Sequence, residues 1–195
     1  MSTVKDKAEL RFLDEMEKTA LFIDGVSTHA VARNLGWVID FRRLREFFAK
    51  ETHLVKAYYF TPMDVQDTVQ ISSLIEWLGL NGFICELVEF DSADERGKRT
   101  SIDVPFVTEC LSLAFLPNAV DHIILFTGAG KYVPLVRRLD KLAKKVTICS
   151  TTSIKTENSD RQMKMVSHDL RKAADHFLDL ETIREYVERK DDTRR

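Results

Sequence analysis

Three groups of residues have the types and spacing that chemistry needs. Asp24 ends the apolar run Ala20-Leu21-Phe22-Ile23 and is followed by Gly25. Such a run reads as a buried strand. An acid at its carboxyl end is either a helix cap or part of a site, because ligands of open parallel sheets gather beyond the strand ends. The second group is Thr127-Gly128-Ala129-Gly130-Lys131-Tyr132, between an apolar strand and a helix. Glycines at a helix start invite a phosphate-loop reading. The full ATP-loop pattern is missing, since Tyr132 stands where Ser or Thr would hold Mg²⁺. A looser grip on one phosphate, by the backbone of 128–131 and Lys131, survives. The third group is Arg96, Lys98 and Arg99 in a polar loop, either a backbone clamp or ordinary solvated charge. Asp103 opens the next helix and reads equally as an N-cap or a site acid.

The elements that must position these residues alternate. Strands are expected at Ala20–Asp24, Leu54–Phe60 (closed by Thr61-Pro62), Phe83–Phe90, Asp121–Phe126, Lys145–Cys149 and Phe177-Leu178. Phe83–Phe90 alternates in part, as an edge strand does. A helix capped by Ser27 or Thr28 stops at Gly36. A second, capped by Asp40, aligns Phe41, Leu44, Phe47 and Phe48. A third, from about Asp67 to Leu80, is expected to bury Val69, Ile71, Leu74, Ile75, Trp77 and Leu78. The fourth begins near Asp103, with Pro105 tolerated in its first turn. A fifth carries Leu135, Val136 and Leu139, and a sixth covers about Val166 to Ala174. Ser150–Gln162 reads as a mobile polar loop. Residues 3–18 form a charged, ragged helix expected to pack loosely or to contact a partner, and a charged helix closes the chain. Arg42, Arg43, Arg45, Arg137 and Arg138 read as exposed helix faces, and Trp37, Tyr58 and Tyr59 as packing rather than base-stacking platforms.

Alternating strands and helices mean a three-layer α/β/α, Rossmann-like architecture with a mostly parallel sheet of five to six strands. The 195 residues fit one domain at 19–180, with a helical extension at 1–18 and a charged helix or tail at 181–195. With 44% hydrophobic and 31% charged residues, the chain is globular and neither disordered nor membranous. No signal-peptide core and no run of roughly eighteen apolar residues is present, so a cytoplasmic protein without membrane contact is expected. Cys85, Cys110 and Cys149 have no metal-binding or disulfide spacing. A net charge of −2 gives no global attraction for nucleic acid, so any such site must be a local patch.

Phe22-Ile23-Asp24-Gly25 resembles the F-I-D-G-x-N opening of NYN domains, the LabA-like branch of the PIN-like ribonucleases. Ile102-Asp103-Val104 with Glu109 resembles that family's V-D-V helix and its second acid. Phe126 to Val136 resembles its S-G-D-G-D-F-x-P-L-V segment, and Leu170 to Phe177 its closing L-R-x-x-A-D-x-F. The resemblance implies an acid cluster that holds Mg²⁺ or Mn²⁺ for RNA hydrolysis. Residue by residue, Asp24, Asp103 and Glu109 remain as the catalytic cluster, with Asp24 and Asp103 as metal ligands if the site is active. Ala129 and Lys131 replace two acids, and Ser27 replaces the asparagine. Glu109 lies about 120° around the helix from Asp103, so a solvated rim acid is its alternative.

An ammonium about 4 Å from a dication, at an effective dielectric near 20, costs on the order of 8 kcal/mol. The expectation is therefore an impaired nuclease fold with no cofactor, in which Lys131 sits buried where a metal would and pairs with Asp24 and Asp103. Ser27, Thr127, Gly128, Gly130, Lys131, Arg96, Lys98 and Arg99 are its candidate phosphate or RNA contacts. Two readings compete: an active Mg²⁺- or Mn²⁺-dependent ribonuclease, and a protein-interaction module or homo-oligomer without RNA binding.

Overall fold

The computed structural model describes residues 10–64, 69–90, 101–155 and 162–190. The clamp residues Arg96, Lys98 and Arg99, and the extreme termini, lie outside them.

The sheet grows from β1 (Lys18–Asp24), whose residues from Thr19 onward are buried. β2 (His53–Asp64) and β3 (Ile84–Phe90) add on one side. β4 (His122–Phe126), β5 (Lys145–Ser150) and β8 (His176–Asp179) add on the other. The order is β3-β2-β1-β4-β5-β8, and every pairing is parallel. The chain thus reverses direction between β1 and β4, the place where an open α/β sheet leaves a crevice. β3 is an edge strand, as its partial alternation implied.

Strand pleating sends alternate side chains to two cores. Leu21, Ile23, Tyr59 and Phe126 face α1 (Gly25–Leu35) and α2 (Phe41–Glu51), with Leu78 of α3 (Val69–Leu80) in the same cluster. Ala20, Phe22, Phe60 and Leu125 face α4 (Asp103–Phe115), α5 (Val133–Lys141) and α6 (His168–Ala173). The result is the expected three-layer α/β/α arrangement, with a six-stranded parallel sheet. Asp40 caps α2 by accepting from Arg43 N at 3.1 Å, and Gly36 ends α1 in the left-handed region at φ 81°.

Several local expectations give way to long-range packing. Thr61-Pro62 does not close β2; the strand continues to Asp64 alongside β3. β1 ends opposite Phe60, so the backbone at Pro62 has no ladder partner on that side and its missing N–H costs little. Residues 10–17 are turns rather than helix, and Leu10, Phe12 and Leu13 pack against the first core. The segment expected as a mobile loop carries strands at its described ends: β6 (Ser153–Lys155) and β7 (Gln162–Lys164) form an antiparallel pair, and residues 156–161 lie outside the described residues. Trp77 is 38% exposed. The described closing segment, residues 180–190, is not a free charged helix. Leu180–Ile183 is a 3₁₀ turn and α7 (Arg184–Val187) one short helix, with Leu180, Ile183 and Val187 buried. Arg43, expected on an exposed face, holds this segment by donating to the carbonyls of Tyr186 and Glu185. Cys85, Cys110 and Cys149 are free thiols. None of the described helices is long and apolar enough to cross a membrane.

Candidate functional site

Asp24 sits at the carboxyl end of β1 beside the β1/β4 crevice, and is only 4% exposed. Its two oxygens are both used. Oδ1 accepts from Ser27 N at 3.0 Å and Oδ2 from Ser27 Oγ at 2.6 Å. Asp24, not Ser27 or Thr28, is therefore the N-cap of α1. Gly25 follows because a Cβ there would meet Tyr59 Oη at 2.5 Å. The Asp-Gly pair thus has a complete structural cause: one residue caps, and the other makes room for a buried phenol.

Asp103 is the first residue of α4, but it is not the cap; Ile102 holds that position without a side-chain bond. Its carboxylate turns to the crevice instead. Oδ1 accepts from Tyr132 Oη at 2.8 Å and pairs with Lys131 Nζ at 2.5 Å. Burial pushes the Asp103 pKa up, but the hydrogen bonds from Lys131, Ser101 and Tyr132 outweigh it and hold the group below its ordinary value. Tyr132 is 1% exposed, and its ring packs 4.7 Å from that of Phe106. Burial first, then the bond to Asp103 and the charges of Asp24 and Asp103, push its hydroxyl far above the phenol range. Tyr132 thus stays a neutral donor to Asp103.

Lys131 was expected buried, paired with both acids. It pairs with Asp103, and its side chain is 51% exposed. Asp24 is instead satisfied by Ser27. Glu109 is half-buried on α4; its charge, after burial, raises the hydroxyl pKa of Tyr58. Among the described residues, no three His, Cys, Asp or Glu side chains group to hold a metal ion. The Lys131 ammonium paired with Asp103 puts a positive charge where a dication would bind, and on that ground these residues do not fit one.

The glycine loop has a packing cause too. A Cβ on Gly128 would lie 1.8 Å from Met165 O, and one on Gly130 would lie 2.8 Å from Ser167 Oγ. Gly128 O also accepts from Ser167 N at 2.9 Å. Thr127 is buried, and its Oγ1 accepts from Ala129 N at 3.2 Å. The residue that sequence reasoning passed over is Tyr132, seen only as a missing Ser or Thr. The signal was available: Lys131-Tyr132 stands where the family segment has Asp-Phe, so both changes introduce donors. Ser150 was also missed; its buried Oγ has no hydrogen-bond partner among the described residues.

Comparison with known proteins agrees with this architecture. The chain is 28% identical over 178 residues to the low amplitude and bright protein LabA of Synechococcus elongatus, covering 88% of each chain. It superposes on the crystal structure of a protein of unknown function from Vibrio parahaemolyticus with a TM-score of 0.69 at 21% identity, covering 89% of this chain and 98% of that one. The latter likeness speaks to the fold alone. The sequence model of the NYN domain matches residues 18–181, nearly the whole sheet and its helices. The chain belongs to the NYN domain family, in its LabA-like branch, with a PIN-like nuclease fold.

Proposed function

We propose that this NYN domain no longer cleaves RNA and instead binds the RNA backbone at the β1/β4 crevice. One observation carries the reading: Lys131 and Tyr132, adjacent in the chain, both donate to the same oxygen of Asp103. Metal-assisted phosphodiester hydrolysis needs acids with free lone pairs to hold and polarise the ion. Here a cation and a phenol sit on Asp103 Oδ1, and the ammonium charge opposes a dication beside it. Lys131, half exposed, has further donors free to meet a phosphate. A single-stranded RNA would lie along the crevice with its backbone on Lys131, and Arg96, Lys98 and Arg99, outside the described residues, are further candidate contacts by residue type.

Titration with Mn²⁺ together with a labelled-RNA assay tests this. The expected result is salt-dependent RNA binding without cleavage; tight Mn²⁺ binding accompanied by cleavage would refute it. Removing any one of the four basic side chains should lower the log–log salt slope by about 0.7. In an active ribonuclease, Asp24→Asn would abolish cutting, whereas here there is no cutting to lose. Lys131→Asp, which restores an acid and frees Asp103, is expected to raise Mn²⁺ affinity. The reading as a partner subunit draws on α4, where Val104 is 74% exposed at its start and Phe115 is 55% exposed at its end. It predicts no RNA binding at physiological salt and a mass above the monomer.

A further inference from the structure

A groove of about 680 Å³ runs along the free edge of the sheet at β8, three strands from β1. Its volume falls in the range of small-ligand cavities, roughly 300–1,000 Å³. Arg11, Phe12, Arg171, His176, Phe177 and Asp179 line it. Arg11 and Arg171 are exposed, and neither enters an ion pair among the described residues. The Arg171 guanidinium lies 4.5 Å above the Phe177 ring, which fixes its plane and leaves its edge donors available. Phe12 and His176 stack at 4.7 Å and 16°, forming an aromatic wall. Burial first, then Lys145, lowers the His176 pKa, so at neutral pH the ring contributes as an uncharged aromatic. Asp179 accepts from Glu181 N at 3.1 Å and Thr151 Oγ1 at 3.4 Å, which leaves lone pairs for another donor.

A bare anion would use the two arginines and be repelled by Asp179. A nucleotide uses all three kinds of group. We propose that the β8 groove is a nucleotide-binding site: phosphate on Arg11 and Arg171, base against the Phe12–His176 wall, and a ribose hydroxyl donating to Asp179. A carboxylate accepting from a ribose hydroxyl is a recurrent device in nucleotide sites. The nucleotide is either free or one unit of a single-stranded RNA, and these share the recognised chemistry. The site does not depend on the reading of Asp103, so its failure leaves that reading untouched.

The test is calorimetry of the full chain with AMP and with inorganic phosphate, and anisotropy with a labelled single-stranded oligoadenylate. At least one nucleotide probe should bind saturably, and Arg11→Gln and Arg171→Gln should each weaken it about tenfold or more. Arg42→Gln, at a residue that does not line the groove, should leave it unchanged. Binding of AMP identifies a free nucleotide; binding of oligoadenylate alone identifies an RNA segment. The site is overturned if neither probe binds, if both arginine variants bind as the wild type does, or if inorganic phosphate binds as tightly as AMP. Both arginines are exposed, so melting temperatures matched to wild type serve as the folding control. Should Arg171→Gln melt early by losing its stack on Phe177, Arg11→Gln decides alone.

Discussion

Lys145 at the amino end of the sheet and Lys131 at its carboxyl end each hold one carboxylate, but in different surroundings. Lys145 Nζ donates to Glu17 Oε2 and to Phe12 O, both at 2.7 Å, and the pair's side chains are 26% and 20% exposed. Behind them His122 is fully buried, with Nε2 2.7 Å from Thr147 Oγ1. Its Nδ1 lies 3.2 Å from Glu17 Oε2 without hydrogen-bond geometry, a contact of a neutral imidazole with a carboxylate rather than an ion pair. Lys131 and Asp103 make the same kind of contact in the open, at 51% and 34% exposure. Water screens an open pair, whereas a buried pair offsets its desolvation only when its partners are present. The amino-end network is therefore a structural joint. The carboxyl-end pair is a surface that ligands can reach.

The sharpest way to break this contrast is through the backbone rather than the charges. Gly128→Ala drives a Cβ into Met165 O and is expected to cost about 3 kcal/mol or more in denaturant unfolding. A midpoint unchanged from wild type would show that the carboxyl-end loop is not packed as described. Next comes Lys145→Met, which strands a largely buried Glu17 carboxylate and should cost about 2 kcal/mol. Lys131→Met should cost about 0.5 kcal/mol or less; equal losses for the two would sink the comparison.

Between these falls a pH effect. Burial, then the charges of Lys145 and His176, lower the His122 pKa from 6.5 to about 3. From pH 6.5 down to 3 the unfolded chain therefore binds the proton and the folded chain does not. Its contribution is fully present above pH 6.5 and is lost on acidification, at up to about 1.4 kcal/mol per pH unit. His122→Asn should flatten the slope of stability against pH in that window, and a slope identical to wild type would remove His122 from the joint. Lys131→Met should leave the slope as it is, the smallest effect of the series.

Much of the scaffold was legible because its causes are local. The apolar run before Asp24, the Asp40 cap, the Gly36 stop and the burial of Trp37, Tyr58 and Tyr59 follow from periodicity and backbone preference. The errors have the opposite character. Pro62 is tolerated because β1 stops opposite Phe60, and Arg43 is held by carbonyls more than 140 positions away. Trp77 and the chain end were misjudged because exposure depends on which neighbour covers a face.

At the site the same division applies. Sequence alone determined that an alanine and a lysine stand at 129 and 131, where the resemblance to the family implies acids, since residue identity carries charge wherever the chain goes. Only the tertiary structure decided where that charge acts: Lys131 meets Asp103 rather than Asp24, Tyr132 joins it, and Ser27 satisfies Asp24. A hydrogen bond needs its partners within about 3 Å. The partners of Asp103 come from a segment 28 and 29 positions along the chain, a distance that only the packing of α4 against α5 closes.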